Sequence, residues 1–210
     1  MEAKKDQYTL QTGAGIADER LGFLQKVHGP DSIAFLRRHM TSKNNRILDI
    51  GCGTGYMATW MADNIAKNVT AVDQSLAQLE IAKLRTTSLN IRNIEFIQGD
   101  AYDSAMQAGQ YDLTYSRFLM QHLTDVPRFL KNTFDSKNCD DSNYLIIEAA
   151  IHSGWASIPH QNYIISAANL FKSLLEINGS DFDIGNKIFH TMRARERQAR
   201  GEYSEVGSDF

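Results

Sequence analysis

The stretch from Arg46 to Gly55 constrains the fold most, because a short apolar run there ends in alternating glycines at positions 51, 53 and 55. An uninterrupted apolar run is typical of a strand that is covered on both faces of a parallel sheet. A glycine turn at its carboxyl end lets a ligand approach the backbone closely. Because the next segment, Tyr56 to Ala66, has a helical pattern, the stretch predicts a nucleotide-type ligand site at a helix amino terminus.

The spacing of these glycines separates two kinds of nucleotide site. The dinucleotide fingerprint is G-x-G-x-x-G, and Tyr56 stands where its last glycine would be. The spacing therefore argues against a dinucleotide. Asp73 follows a second apolar run, about 20 residues beyond the turn, where an acid that accepts hydrogen bonds from a ribose is expected. The sequence thus combines a glycine turn with a ribose partner.

Four successive segments resemble the motifs of the class I S-adenosylmethionine-dependent methyltransferases. The resemblance covers roughly residues 44 to 151, and four motifs in the family's order are far more specific than one. It implies an α/β fold with a Rossmann-like, doubly wound and mostly parallel sheet of seven strands. The implied cofactor, S-adenosyl-L-methionine, would lie across the carboxyl ends of the first strands. The segments are Ile47–Gly55, Ala71–Ser75, Ile94–Ala101 and Tyr111–Tyr115.

The same resemblance implies a set of cofactor-binding residues. Asp73 would accept hydrogen bonds from the ribose hydroxyls and Asp100 from the adenine amino group, while the small Ala101 leaves room for the ring. Arg117 would face the methionine portion of the cofactor, and Tyr8 would reach the cofactor from the amino-terminal segment. The complete set is Tyr8, Asp49, Gly51, Cys52, Gly53, Asp73, Gln74, Gly99, Asp100, Ala101 and Arg117.

The chain is expected to form one domain with three parts. Residues 1–43 are predicted to form amino-terminal lid helices, one over Ile16–Val27 and a second that starts at Asp31 after Pro30. Residues 44–151 are predicted to form the S-adenosylmethionine-binding core. Residues 152–210 would supply the helices of an acceptor pocket and a carboxyl-terminal helix that begins near Asp183.

The segment after the fifth predicted strand, Tyr144 to Ala150, is expected to shape the acceptor site. No second apolar run follows the last helix, so the chain is predicted to lack the last strands of the family's sheet, either by truncation or because the sheet is completed unusually. The exposed edge would favour a homo-oligomer. Aromatic and aliphatic pocket walls fit a small, partly apolar acceptor. These walls are Trp155, Tyr163, Ile164 and Phe171.

Charge and composition argue against a nucleic acid, a membrane or a metal as a partner. The formal net charge of −3 provides no overall basic field for a nucleic-acid backbone or an anionic membrane. The amino terminus lacks the apolar core of a signal peptide, and no apolar run is long enough to cross a membrane, so a cytoplasmic protein is expected. The two cysteines, Cys52 and Cys139, lack metal-ligand spacing, so no metal is expected.

Methyl transfer from a sulfonium depends more on alignment of the nucleophile and exclusion of water than on a strong base. The catalytic residue therefore stays unassigned, with Glu148, His122 and His152 as candidates for removing a proton from the acceptor. The predicted function is methyl transfer to an oxygen, nitrogen or carbon of a small molecule. Two alternatives remain: a non-catalytic or truncated S-adenosylmethionine-binding protein, and an NAD-dependent oxidoreductase.

Overall fold

The computed structural model describes residues 14–40, 42, 43, 45–135, 144–149, 162–177, 179–181, 183–188 and 190. The helices are α1 (Ala14–His39), α2 (Tyr56–Asn64), α3 (Leu76–Ser88), α4 (Ala101–Ala105), α5 (Val126–Asp135) and α6 (Asn162–Glu176). The strands are β1 (Asn45–Ile50), β2 (Ala66–Asp73), β3 (Ile94–Gln98), β4 (Leu113–Arg117) and β5 (Tyr144–Glu148). Short 3-10 helices cover Ala108–Gln110 and Met120–His122.

The five strands of the described residues form one sheet in the order β3-β2-β1-β4-β5. All neighbouring pairs are parallel. The chain winds outward from β1 to β3, returns to the other side of β1, and winds outward again to β5. The direction in which successive strands are added to the sheet reverses between β1 and β4. A sheet of this kind has a crevice beyond the carboxyl ends of the strands at that point. This topology confirms the predicted doubly wound α/β fold.

Alternate residues of the central strand enter two different cores, because successive side chains point to opposite faces of a sheet. Ile47 packs with the fully buried Leu36 of α1 and Met61 of α2. Leu48 packs on the other face, where Phe129 of α5 is fully buried. Helices therefore cover both faces of the sheet, as the uninterrupted apolar run of β1 predicts.

Side-chain caps fix where three helices begin beside the strand ends. The Ser75 hydroxyl accepts a hydrogen bond from the Gln78 N–H at 3.4 Å at the start of α3, and the serine–glutamine spacing of three residues is that of a capping box. Asp100 caps α4 by accepting from the Tyr102 N–H at 2.7 Å. Asp125 caps α5 in the same way, at 3.0 Å. These caps keep polar side chains at the carboxyl edge of the sheet.

The amino-terminal region differs from the prediction of two helices. α1 is one helix with Pro30 inside it. A proline in a helix interior removes a backbone hydrogen bond and costs about 3 kcal/mol. Tertiary contacts on both sides of the proline offset that cost, since Ala17 before it and Leu36 after it are both buried. The predicted break after Val27 is therefore wrong.

β4 lies two residues later in the chain than the predicted segment Tyr111–Tyr115. Asp112 marks the entry to the strand, because its carboxylate accepts a hydrogen bond from the Arg46 N–H at 2.6 Å. The shift places Arg117 within the sheet, where its Cα pairs with that of Glu148 on β5. Arg117 is therefore held by strand pairing and not by a loop.

The carboxyl-terminal predictions fall partly on residues that the structure does not describe. α6 lies in the segment predicted to supply acceptor-pocket helices, and residues 184–188 are helical near the predicted start at Asp183. The predicted absence of a sixth and a seventh strand concerns residues 191–210, which lie outside the described residues. No helix in the described part of the chain is long and apolar enough to cross a membrane.

We predict that Gly55→Ala destabilises the protein by about 2–4 kcal/mol. Gly55 has a φ of +79°, and a Cβ there would lie 2.8 Å from the Ala82 Cβ of α3. The left-handed backbone conformation and the close contact with the neighbouring helix both make any side chain at this position unfavourable. Urea unfolding of the variant and the wild type measures the loss.

Gly15→Ala in α1 is the matched control, because nothing lies within 4 Å of its Cβ position. This variant should be neutral or up to about 1 kcal/mol more stable, since alanine favours a helix over glycine. Equal stability of the two variants would contradict the packing argument at Gly55.

Candidate functional site

A cavity of about 620 Å³ lies at the carboxyl ends of β1, β2 and β4. This volume is in the range of small-molecule sites. α1 supplies one wall, with Ala17, Arg20, Leu21 and Leu24 on one helix face. Tyr8 lies outside the described residues, and all the other predicted cofactor-binding residues line the cavity. They are Asp49, Gly51, Cys52, Gly53, Asp73, Gln74, Gly99, Asp100, Ala101 and Arg117.

Backbone hydrogen bonds attach the glycine turn to the end of β2. The Gly51 and Cys52 N–H groups both donate to the Val72 carbonyl oxygen, at 2.8 and 3.0 Å. The Gly53 N–H donates to Asp73 Oδ2 at 2.8 Å. The turn and the carboxylate therefore form one continuous cavity wall.

The Asp73 carboxylate is oriented by backbone donors on both of its oxygens. Besides the bond from Gly53, the Ser75 N–H donates to Oδ1 at 2.8 Å. Burial raises the pKa of Asp73, and the N–H donors of Ser75, Gly53 and Gln74 oppose that rise. Each carboxylate oxygen has a second lone-pair site. Asp73 can therefore accept one further hydrogen bond on each carboxylate oxygen.

Gly53 keeps the turn open to a ligand. Its φ is +59°, and a Cβ there would lie 3.0 Å from Leu21 Cδ1 and 3.2 Å from Gln78 Oε1. A larger residue would therefore strain the backbone and fill the space between the turn and α1.

Asp49 is a buried carboxyl on the cavity side of β1, with 2% of its surface exposed. Burial is the largest cause that raises its pKa, to about 7; Arg117 lowers the pKa, and Asp73 and Glu148 raise it. No hydrogen bond to the Asp49 carboxylate is formed within the described part of the chain. A buried carboxylate of this kind gains most from a cationic ligand group.

The end of β3 contributes a second acid to the cavity. Asp100 uses Oδ1 to cap α4, which orients its carboxylate beside Ala101. The Gly99 N–H donates to the Asp73 carbonyl oxygen at 3.1 Å and joins the ends of β2 and β3. Gln74 lies between these ends and lines the same wall.

Arg117 is held in the cavity by α1. Its Nη2 donates to Gln25 Oε1 at 2.6 Å, and its Nη1 donates to Ser32 Oγ at 3.4 Å. The guanidinium lies 5.7 Å from the centre of the Phe118 ring. Phe118 has a φ of +54°, which is rare for a bulky residue and sharply redirects the chain after β4.

Glu148 lies at the end of β5 beside Arg117, but both of its oxygens are engaged. The Tyr115 hydroxyl donates to Oε1, and the Ser32 hydroxyl donates to Oε2 at 2.6 Å. Burial raises the pKa of Tyr115, and the neighbouring Glu148 adds to that rise. Glu148 does not line the cavity, so among the described residues its visible role is to join α1, β4 and β5.

Of the other two predicted candidate bases, His122 and His152, only His122 lies among the described residues. His122 lines the cavity, and burial together with the nearby Arg20 lowers its pKa to about 4, so the imidazole is neutral at physiological pH. His152 lies outside the described residues. Burial raises the pKa of the Cys52 thiol, and the thiol packs against the core. The described residues contain no cluster of three or more possible metal ligands.

Arg85 was not identified from the sequence, although it connects three elements around the cavity. Its Nη2 pairs with Asp18 of α1 at 2.7 Å, and its Nε donates to the Thr54 carbonyl oxygen at 3.1 Å. Its guanidinium carbon lies 3.5 Å from the centre of the Tyr56 ring. No local motif marks Arg85, because its partners are distant in sequence.

The predicted acceptor-pocket walls are only partly described. The Tyr163 side chain is 71% exposed and does not line this cavity. An exposed position on α6 explains the difference, since the helical pattern alone does not show which face is covered. Trp155 lies outside the described residues, as do the side chains of Ile164 and Phe171.

Residues 47–136 match the family model described as a methyltransferase domain. The ubiquinone biosynthesis O-methyltransferase of Acinetobacter baumannii is 37% identical over 87 residues, which are 41% of this chain and 36% of that protein. The malonyl-[acyl-carrier protein] O-methyltransferase of Bacillus cereus is 28% identical over 130 residues, 61% of this chain and 47% of that protein. The chain thus spans between about a third and a half of the length of these curated relatives.

Solved structures share the fold at low sequence identity. Phosphoethanolamine N-methyltransferase 2 of Haemonchus contortus, solved with S-adenosylhomocysteine, matches with a TM-score of 0.60 at 18% identity, over 79% of this chain and 36% of that chain. The YcgJ protein of Bacillus subtilis matches with a TM-score of 0.51 at 15% identity, over 77% and 82% of the two chains. These matches agree with the α/β sheet described above.

We predict that the wild type gains stability relative to Asp49→Asn as the pH falls from about 7 to about 4. The raised pKa means that folded Asp49 holds a proton that the unfolded chain releases in this range. The free energy of unfolding of the wild type therefore increases as the pH falls, by up to about 4 kcal/mol. Asparagine does not titrate, so the free energy of unfolding of the variant lacks this contribution.

Urea titrations of both proteins at several pH values measure the difference in unfolding free energy. The asparagine variant should be the more stable protein above about pH 7, and the two should converge in mild acid. A difference that stays constant with pH would contradict the assignment of a buried, proton-binding Asp49.

Proposed function

We propose that the chain, whose residues 47–136 match the family model of a methyltransferase domain, is a class I S-adenosylmethionine-dependent methyltransferase that transfers a methyl group from S-adenosyl-L-methionine to an oxygen, nitrogen or carbon of a small-molecule acceptor. The observation that carries the proposal is the bond between the Gly53 N–H and Asp73 Oδ2 at the cavity wall. It combines a glycine turn open to a ligand with a carboxylate that is oriented to accept hydroxyl donors.

Each part of the cavity suits one part of this cofactor. Asp73 would accept hydrogen bonds from the ribose hydroxyls, and Asp100 would accept one from the adenine amino group. Asp49 would pair with the ammonium of the methionine portion. Arg117 would pair with the methionine carboxylate. Gly51, Cys52 and Gly53 would let the cofactor lie against the backbone, with Gln74, Gly99 and Ala101 beside the adenosine.

The chain's own residues contribute binding and orientation. S-adenosylmethionine, when bound, supplies a methyl group that is already activated on a sulfonium. α1 forms one wall of the cavity and would limit the access of water, and the Arg117 contacts to Gln25 and Ser32 hold that helix beside the carboxyl end of β4. Alignment and water exclusion of this kind account for much of the acceleration of a displacement reaction.

A small acceptor fits the charge of the chain better than a nucleic acid. The net charge is −3, and phosphate-backbone binding needs many cationic contacts. The two curated relatives are named as O-methyltransferases, which favours an oxygen acceptor within the proposed range. We also propose a cytoplasmic location and a homo-oligomer paired through β5, which is an edge strand among the described residues.

Two rival functions make different predictions in solution. Calorimetric titration with S-adenosylmethionine and with NAD separates a methyltransferase from an NAD-dependent oxidoreductase, and only S-adenosylmethionine should bind. Formation of S-adenosylhomocysteine with a panel of small acceptors then separates an enzyme from a non-catalytic binder. Binding of NAD alone, or binding of S-adenosylmethionine with no turnover on any acceptor, would overturn the proposal.

We predict that Asp73→Ala weakens S-adenosylmethionine binding more than tenfold, because two hydroxyls lose a charged acceptor worth about 1.5–3 kcal/mol per bond. Asp73→Asn keeps one acceptor oxygen and should have a milder effect. Calorimetry measures both affinities.

Asp63→Ala is the matched control, since Asp63 is an exposed residue of α2 outside the cavity lining. This variant should bind S-adenosylmethionine like the wild type. A loss below about twofold for a folded Asp73→Ala protein would refute the ribose assignment.

A further inference from the structure

The two parts of α1 on either side of Pro30 are attached to the rest of the protein in different ways. Beyond the proline, Leu36 and Met40 are buried in the hydrophobic core on one face of the sheet. Before it, Ala17 is the only buried side chain from residue 15 to residue 29. The residues of α1 that line the cavity all belong to this first part. The part of α1 that forms a cavity wall therefore depends on contacts other than core burial.

Arg85 of α3 holds this first part of α1 from outside the cavity. Its Nη2 pairs with Asp18 Oδ1 at 2.7 Å, and the two side chains are only 21% and 31% exposed. Its Nε donates to the Thr54 carbonyl oxygen of the glycine turn at 3.1 Å, and its guanidinium lies over the Tyr56 ring. Because the turn and the ring fix the planar guanidinium, its pairing with Asp18 requires α1 to lie in one position against the turn.

Tyr56 connects this ion pair to the cavity wall. A Cβ at Gly22 would lie 2.7 Å from the Tyr56 hydroxyl oxygen, so the glycine lets α1 pack against the end of the ring. Tyr56 lines the cavity, whereas Arg85 and Asp18 do not. The ion pair can therefore be removed without removing a contact to a ligand in the cavity.

Pro30 weakens α1 between its two parts. A proline has no N–H, so the Lys26 carbonyl oxygen lacks the helical hydrogen bond that another residue at position 30 would donate. Sharp bends in helices occur most often at prolines. The glycine turn, by contrast, is attached to β2 by backbone hydrogen bonds. The first part of α1 can therefore tilt about Pro30 more easily than the turn can move.

We propose that the part of α1 before Pro30 is a lid that opens for exchange of the cofactor, and that the Arg85–Asp18 ion pair is the latch of this lid. The inference rests on the proposed function, since the ligand exchanged is S-adenosylmethionine or S-adenosylhomocysteine. The latch lies outside the cavity, so its contacts are the same with or without a ligand. Its energy therefore cancels in the affinity, but it adds to the barrier to opening and slows both binding and release.

Surface plasmon resonance with S-adenosylhomocysteine over the immobilised full chain measures both rate constants. In Asp18→Ala, Arg85 keeps its contacts with the turn and the ring. The association and dissociation rate constants should both rise, by about threefold to tenfold, as the loss of a partly buried ion pair implies. The dissociation constant should change less than about twofold. A distorted binding site would instead raise the dissociation rate alone and weaken the affinity.

Pro30→Ala should have the opposite effect. Alanine restores an N–H that can bond to the Lys26 carbonyl and stiffens the helix, so both rate constants should fall together, by about threefold or more. Pro30 is exposed and outside the cavity lining, so this change also leaves ligand contacts intact. Glu80→Ala is the matched control, because it removes an exposed ion pair with Lys83 within α3. Its rate constants should equal those of the wild type.

The outcomes separate this inference from the proposed function. If S-adenosylhomocysteine binds the wild type but Asp18→Ala leaves both rate constants unchanged, or raises dissociation alone, the latch is wrong and the methyltransferase proposal stands. Pro30→Ala rates that equal or exceed those of the wild type would overturn the lid. Asp18→Asn, which keeps the size of the side chain and removes its charge, gives the same test if the alanine variant unfolds. If S-adenosylhomocysteine does not bind the wild type, the proposed function fails first.

Discussion

The cavity depends on the attachment of the glycine turn to the end of β2. Three successive N–H groups of the turn donate hydrogen bonds to the end of β2, two to the Val72 carbonyl oxygen and one to the Asp73 carboxylate. These bonds satisfy backbone donors that the turn would otherwise leave buried, and they set the direction in which α2 begins. The same bonds orient the Asp73 carboxylate, so one local arrangement provides both the backbone wall and its acid.

α1 is the second requirement, because it forms the wall opposite the glycine turn. Two groups of contacts hold it. Arg85 links Asp18 to the Thr54 carbonyl near its amino end, and Ser32 reaches Glu148 beyond Pro30. A helix held on both sides of a proline stays continuous despite the lost backbone bond. The residues of α1 that line the cavity, from Ala17 to Leu24, all lie before the proline, so the contacts beyond it anchor the helix and do not line the cavity.

The electrostatics of the cavity follow from this enclosure. Burial raises the pKa of both Asp49 and Asp73, so both carboxylates are less stable in the folded protein than they would be in water. Under the proposed function, the ammonium and the hydroxyls of the cofactor would compensate that cost, and the protein would exchange stability for binding. Arg117 lies close enough to Asp49 to lower the pKa of that carboxyl, so its guanidinium offsets part of the cost of burying the acid.

The sequence by itself determined the features that depend on neighbouring residues: the apolar run of β1, the turn that needs glycine at positive φ, the Ser75 cap and the acid after β2. Together with the family resemblance that these features carry, they identified ten site residues that line one cavity. Only the tertiary structure decided that α1 continues through Pro30, that Arg85 joins three elements, and that Glu148 is occupied by Ser32 and Tyr115. These depend on contacts between residues far apart in the chain, whose energies offset local preferences and leave no local pattern. The raised pKa of Asp49 belongs with them, because desolvation exists only once the chain has folded around the carboxyl group.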